Sequence, residues 1–209
     1  MNLIFDIGFN VGEFTQTCFN KYKDCNVIAV EANPSLVKLA SPHFFTNYNF
    51  TLHNNLVSEK TNEEIDFYVS PNTTGVSTAS TQFMENSRFT KGSKNLEKNS
   101  IKWEAPIKVQ SITIDSMIER YGIPDLIKID VEGYELFVLR PFLEVINSDY
   151  RPTFLVELGW GSSNPNWAKF IDLASLFIKK GYKFYKANDP QCELTIAELT
   201  NLDHTLDAL

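Results

Sequence analysis

The sequence predicts a three-layer α/β domain, a mostly parallel β-sheet with helices packed on both faces. Three observations carry that expectation. Short, almost wholly apolar runs recur along the 209 residues, as strands buried on both faces require. Amphipathic stretches of helical period separate many of them. Glycine, proline and asparagine punctuate the junctions.

The elements follow in order. Leu3–Ile7 is the first strand, closed by Gly8, and Gly12 opens a helix with Phe14, Cys18, Phe19 and Tyr22 on one face. Val27–Val30 is a second buried strand ending in Glu31. Asn33-Pro34-Ser35 then supplies a cap and an early proline for a helix bearing Leu36, Val37, Leu39 and Ala40. A third strand falls near Tyr48–Leu52, and Ile65–Val69 alternates partially, as a strand does. Residues 70 to 105 form a polar excursion with one short helix near Gln82–Phe89. Regular structure resumes with a strand over Ile107–Ile112, a helix over Ser111–Ile123 ending at Gly122, and a strand over Leu126–Ile129. Glu135–Asn147 reads as one helix, Phe154–Glu157 as a strand, and Trp167–Lys180 as a helix stopped by Gly181. Tyr182–Tyr185 and Glu193–Ile196 read as the last strands. No repeat or linker divides the chain, so residues 1–209 are expected to form a single domain. No element precedes the first strand, which suggests a domain cut from a longer polypeptide.

Composition narrows the function classes. Lys plus Arg is 19 against 26 Asp plus Glu, a net charge of −7. An acidic domain repels nucleic acid and anionic membranes, so neither is an expected partner. Cys18, Cys25 and Cys192 form no C-x-x-C pair and read as free thiols in a reducing compartment, the cytoplasm of the producing or host cell. His43, His53 and His204 lack ligand spacing, which argues against a Cys/His zinc site. No apolar run approaches the roughly 18 residues of a membrane span, and the N-terminus shows no signal peptide.

Ligands of open α/β sheets bind beyond the carboxyl ends of the strands, so the residues there carry the chemistry. Asp6-Ile7-Gly8-Phe9-Asn10-Val11-Gly12-Glu13 follows the first strand. Gly8 and Gly12 bracket a turn that a ligand can approach along the backbone. The dinucleotide fingerprint G-x-G-x-x-G is absent, with Asn10 at its middle glycine and Glu13 at its last. Glu13 in the first helical turn repels pyrophosphate, so the loop suits a cofactor without phosphate. The plainer alternative is a tight β-α turn capped by Asn10. Glu31 stands where a carboxylate can accept both hydroxyls of a ribose, against the alternative of an ordinary strand-end acid. Ala32 then lies at the adenine edge. Asn55 either bonds the exocyclic amine or closes an Asx turn. Ribose and adenine without phosphate point to S-adenosylmethionine, whose ammonium and sulfonium suit acidic neighbours such as Asp6.

Four blocks in one order, F-D-I-G-F-N-V-G-E-F-T, V-I-A-V-E-A-N-P, L-I-K-I-D-V-E-G-Y-E and P-T-F-L-V-E-L, resemble the FkbM-type S-adenosylmethionine-dependent methyltransferases. The likeness extends to Gly75–Thr78 and to the I-T-I-D-S-M-I segment, and covers about residues 3 to 160. It implies a class I, Rossmann-like fold with seven strands, the last antiparallel, and O-methylation of hydroxyls, often on sugars. Three departures stand out: the missing helices before the first strand, Phe9 where alanine is usual, and E-A-N-P for E-P-x-P. The Asn/Lys-rich style also resembles, more loosely, a methyltransferase domain of chlorovirus glycan-assembly proteins, which implies fusion to glycosyltransferase domains.

Strand four delivers Asp130 to the active-site edge, with Glu132, Gly133 and Glu135 after it, and strand five delivers Glu157. Glu132 and Glu135 can equally be helix-start acids that favour the macrodipole. An alcohol must lose its proton to attack, and two routes are open. Asp130 can act as general base, beside Glu157 and Glu132. Alternatively Asp130 and Glu157 can ligate a divalent metal such as Mg²⁺. Lys128 shares a strand face with Asp130, where it either orients a carboxylate or pairs with it. The excursion reads as a lid over a small-molecule or glycan acceptor, plausibly a deoxyhexose such as rhamnose. Its Arg88, Lys91, Lys94, Lys98 and Lys102 admit a nucleic-acid reading or a solvated surface. Phe83, Phe89, Trp103, Trp160 and Trp167 are candidates for a sugar face. A nucleic-acid methyltransferase and an inactive cofactor-binding module are the competing functions. Adenine N6 chemistry usually needs an Asn/Asp-Pro-Pro-aromatic block, which Asp130-Val131-Glu132-Gly133 is not.

Overall fold

A computed structural model describes residues 1–40, 44, 46, 49–86, 101–146, 151–158, 164–202 and 206–208. Its strands are β1 (Leu3–Ile7), β2 (Asn26–Val30), β3 (Phe50–His53), β4 (Leu56–Val57), β5 (Glu64–Phe67), β6 (Ile107–Ile112), β7 (Leu126–Ile129), β8 (Thr153–Leu158), β9 (Phe184–Lys186), β10 (Asp189–Leu194) and β11 (Leu206–Ala208). Its helices are α1 (Glu13–Lys21), α2 (Pro34–Leu39), α3 (Thr81–Asn86), α4 (Ile114–Tyr121), α5 (Glu135–Leu139), α6 (Phe142–Val145), α7 (Trp167–Lys179) and α8 (Ile196–Thr200).

The main sheet runs β3-β2-β1-β7-β8-β11-β9-β10. Five strands, β3, β2, β1, β7 and β8, are parallel, with Ile7 opposite Val30 on one side and Ile129 on the other. The apolar alternation of these strands explains the three layers. Phe5, Ile7, Ile127, Ile129, Phe154 and Val156 pack on one face with residues of α4 to α7. Ile4, Val27 and Ala29 pack on the other, with Phe9, Cys18, Phe44 and Phe50. β11 is antiparallel to β8.

Among the described residues the sheet has eight strands, one more than the seven expected. A turn at Ala187-Asn188 folds the chain back, and β10 adds an antiparallel edge to β9 with an irregular register between Asp189 and Glu193. Pro190 is tolerated because that strand lies at an edge. The expected strand at Glu193–Ile196 is met at Glu193 and Leu194, the end of β10, and corrected beyond them: Thr195 forms a capping box with Glu198, which starts α8, and β11, the last strand in the chain, lies between β8 and β9. The single helix expected over Glu135–Asn147 is two short ones. Pro141, without an N–H, stands between them; Asn147 lies outside the described residues. The third strand begins at Phe50, and the helix in the excursion is described over Thr81–Asn86; Tyr48 and residues 87–89 lie outside the described set.

The strands Ile65–Val69 and Ile107–Ile112 were expected in sequence, but their partners were not legible. β5 pairs antiparallel and β4 parallel with β6, forming a second, three-stranded sheet. Leu56 and Phe67 of that sheet line the cleft at the strand ends.

Candidate active site

β1 ends in a loop that leaves the ordinary backbone regions three times: Gly8 has φ 85°, Asn10 φ 50° and Gly12 φ 86°. At Gly8 no side chain fits, since a Cβ would stand 1.8 Å from the carbonyl oxygen of Asp130. The N–H groups of Gly8 and Phe9 both donate to the carbonyl of Val30, at 3.0 and 3.1 Å. The loop is thereby folded onto the end of β2. Phe9, unusual for the resembling family, is 2% exposed and packs edge-on against Phe44 and tilted against Phe50. Gly12 is where a Cβ would collide with both Phe9 and Phe44 rings.

Glu31 is buried at the end of β2. Its Oε2 accepts the N–H of Asn10 at 2.8 Å and its Oε1 that of Asn33 at 2.7 Å. Burial raises its pKa, opposed by those two hydrogen bonds. Each oxygen still has acceptor capacity. Asn54 ties the site down by donating to the carbonyls of Glu31 and Ala32, at 2.9 and 3.2 Å. Asn55 lines the cleft, and its amide donates to the carbonyl of Gln110 at 3.0 Å.

An open cleft joins these parts, with Gly8, Asn10, Glu31, Ala32, Asn55, Asp130 and Glu132 on its polar walls. Leu36, Leu56, Phe67 and Tyr134 supply an apolar side. That mixture of a polar and an apolar wall suits a small ligand with one polar and one apolar side. No Lys, Arg or His is among its described lining residues. Asp6 and Gly12, expected to touch cofactor, lie behind the lining. Asp6 is fully buried, accepts from Thr15 Oγ1 at 2.6 Å and stands 3.7 Å from Lys128 Nζ. Their part is to hold the loop in place.

At the mouth, the carboxylate oxygens of Asp130, Glu132 and Glu157 lie within 4.8 Å of one another. Glu132, at φ 48°, and Gly133, at φ 91°, make the turn that brings Glu132 back toward Asp130, and Thr78 Oγ1 holds it by donating to the Glu132 carbonyl at 2.6 Å. Lys128 Nζ lies 3.0 Å from Asp130 and donates to the Gly8 carbonyl at 2.7 Å. Burial disfavours its charge, but Asp6 and Asp130 outweigh burial and hold its pKa above the ordinary lysine value. It therefore both pairs with Asp130 and fastens β7 to the glycine loop.

Glu135 is the residue whose place the sequence concealed. A helix-start acid is ordinarily solvated, yet this one is 7% exposed and accepts the N–H of Gly133 at 2.9 Å. Burial, with smaller contributions from Asp130 and Glu157, pushes its carboxyl up to about 7. The one available signal was its position five residues after Asp130, within the same L-I-K-I-D-V-E-G-Y-E block.

The excursion spans the strand ends. Thr74 Oγ1 donates to Asn10 Oδ1 at 3.1 Å, Thr78 reaches Glu132, and Asn166 Nδ2 donates to Gln82 Oε1 at 2.5 Å. Its aromatics do not serve as expected. Phe83 is 1% exposed and packs edge-on with Trp103, whose Nε1 donates to the Val76 carbonyl. Trp167 is likewise buried, stacked on Phe170. Phe89, Trp160, Arg88, Lys91, Lys94 and Lys98 lie outside the described residues.

A mostly parallel α/β sheet with a cleft at its carboxyl edge, opening on a cluster of acids, fits a Rossmann-like methyltransferase. The family model described as the methyltransferase FkbM domain matches residues 6–184, and the chain belongs to that family. Methyltransferases of this kind generally use S-adenosylmethionine. No curated protein and no solved structure gives a significant match. Among the described residues, no helix is long and apolar enough to cross a membrane.

Proposed function

We propose that the chain transfers a methyl group from S-adenosylmethionine to a sugar hydroxyl, on a small-molecule or glycan acceptor. One observation carries the reading: a cleft with no cation among its described lining residues and Glu31 on its wall runs into the Asp130–Glu132–Glu157 cluster. The residues fit this cofactor. Glu31 retains acceptor capacity for a ribose diol, Gly8 leaves backbone open to close approach, and Ala32, Leu36 and Leu56 offer a surface for adenine. The acids suit a cation where pyrophosphate would be repelled.

When bound, the cofactor supplies a methyl group activated by a sulfonium. The remaining tasks belong to the chain. Glu31 and Ala32 fix the nucleoside, which sets the distance to the acceptor. Asp130 receives the hydroxyl proton on a side-chain oxygen, and Lys128 holds that carboxylate in place. Segment 74–82 closes the mouth from above through Asn10, Glu132 and Asn166. The proximity of the three carboxylates favours a second route, in which they hold a divalent cation such as Mg²⁺ that acidifies the hydroxyl.

The acceptor we favour is a deoxyhexose such as rhamnose within a glycan, modified in the cytoplasm of the producing or host cell. Glycosyltransferase domains elsewhere in a longer chain would supply it. Nucleic acid is disfavoured by the net charge of −7. An inactive module is disfavoured because Glu31 and Asp130 are both held in built surroundings. Labelled S-adenosylmethionine offered with a panel of glycosides tests this, with mass spectrometry locating the label. A methyl ether on a ring oxygen is expected; label on nucleic acid alone, or none on any glycoside, overturns the sugar reading.

A further inference from the structure

Between the Glu132–Glu135 turn and the start of α7 lies a small pocket, with room for little more than one water-sized group. Gly133, Glu135, Asn164 and Asn166 form its polar side, and Leu136, Leu158, Trp167 and Phe170 its floor. Gly133 directly follows Glu132, and Glu135 lies close enough to Asp130 and Glu157 to feel both charges, so the pocket adjoins the mouth. It shares no lining residue with the adenosine cleft.

Its polar groups have capacity to spare. Asn164 Oδ1 accepts the N–H of Asn166 at 2.8 Å, while its amide nitrogen makes no hydrogen bond among the described residues. The Glu135 carboxyl accepts the N–H of Gly133 and its own backbone N–H, which still leaves acceptor capacity. A buried carboxyl and an uncommitted amide, two groups over an apolar floor, suit one polar substituent on an otherwise apolar ring edge. Asn166 also bonds Gln82 of α3, so the excursion closes this pocket's rim.

Resting on the sugar O-methylation reading, we propose that this pocket is an acceptor subsite in which Glu135 and Asn164 bind the hydroxyl neighbouring the one that is methylated, so that the enzyme selects vicinal diols. The reacting hydroxyl then stands at Asp130 while its neighbour is held one carbon away. Selection follows because an acceptor lacking the second hydroxyl leaves the two polar groups unsatisfied.

The test pairs methyl α-L-rhamnopyranoside with its analogues deoxygenated next to the methylated position, in the wild type and in Asn164→Ala and Glu135→Gln. In the wild type the deoxy analogue is expected to show kcat/KM at least about tenfold lower. In Asn164→Ala the rhamnoside itself drops by a similar factor, through KM, and the deoxy penalty shrinks toward onefold. S-adenosylhomocysteine affinity stays within about twofold in both variants, which separates a subsite from damage to the fold. A deoxy penalty that persists undiminished in both variants overturns the subsite and leaves the sugar reading intact. Equal turnover of diol and deoxy acceptors by the wild type overturns it as well. Absence of transfer to any glycoside removes the sugar reading, and the subsite with it.

Discussion

Asp130→Asn is expected to keep cofactor affinity within a fewfold of wild type and to lose turnover by about 10²- to 10⁴-fold, the usual worth of a general base. The substitution preserves shape, so Lys128 retains a hydrogen-bonding neighbour at the same place, 3.0 Å away in the native site. What disappears is the oxygen that accepts the proton. Both routes to an activated hydroxyl pass through this carboxylate, as base or as metal ligand. Single-turnover rates with labelled S-adenosylmethionine measure the loss. A variant within about tenfold of wild type contradicts both routes. Treating the wild type with a chelator then separates them: activity unaffected by EDTA leaves the base, and activity restored by Mg²⁺ selects the metal.

Glu135→Gln is expected to stabilise the folded protein above neutral pH. The carboxyl is buried and its pKa stands at about 7, against an ordinary 4.5. The folded state therefore binds a proton more tightly than the unfolded state does. Stability falls as pH rises from about 4.5 to 7, and the full loss is felt above 7. The gap corresponds to roughly 3 kcal/mol, an order-of-magnitude figure. Glutamine keeps the acceptor for the Gly133 N–H and never ionises. Urea unfolding of both proteins at pH 5 and pH 8 is the check. The variant should gain a few kcal/mol over wild type at pH 8 and little at pH 5. Asp6 and Glu31, whose pKa values burial also raises, contribute the same sign in both proteins and cancel in the difference. Equal stabilities at pH 8 contradict the buried, proton-binding Glu135.

The parallel half of the sheet was legible because its strands are apolar on both faces and glycine or proline ends its elements. The glycine loop was legible for a related reason: Gly8 sits where only glycine clears the Asp130 carbonyl, and local spacing records that demand. Strand ends announce Glu31 and Asp130 directly. What failed to show was set by partners distant in sequence. β4 is two residues long and exists through pairing with Ser111 and Ile112, so no local pattern marks it. The first half of β10, Asp189-Pro190-Gln191, is polar, because an edge strand with a wet face lacks an apolar run. The break at Pro141 was visible, but helical spacing on either side outvoted it. Phe83, Trp103 and Trp167 drew attention as rings for sugar, whereas Phe83 is buried in a small core with Trp103 packed against it, and Trp167 is buried in the main core. Glu135 looked like a solvated helix-start acid because sequence gives no account of what covers a turn.

The adenosine seat across β1 and β2 is measured most directly by titration calorimetry of S-adenosylhomocysteine against wild type and Glu31→Ala. The account predicts one site per chain in the wild type and an affinity at least about a hundredfold weaker in the variant, with far-ultraviolet circular dichroism unchanged. Equal affinity in the two proteins would contradict it, since the carboxylate held between Asn10 and Asn33 would then have no part in the cofactor's binding.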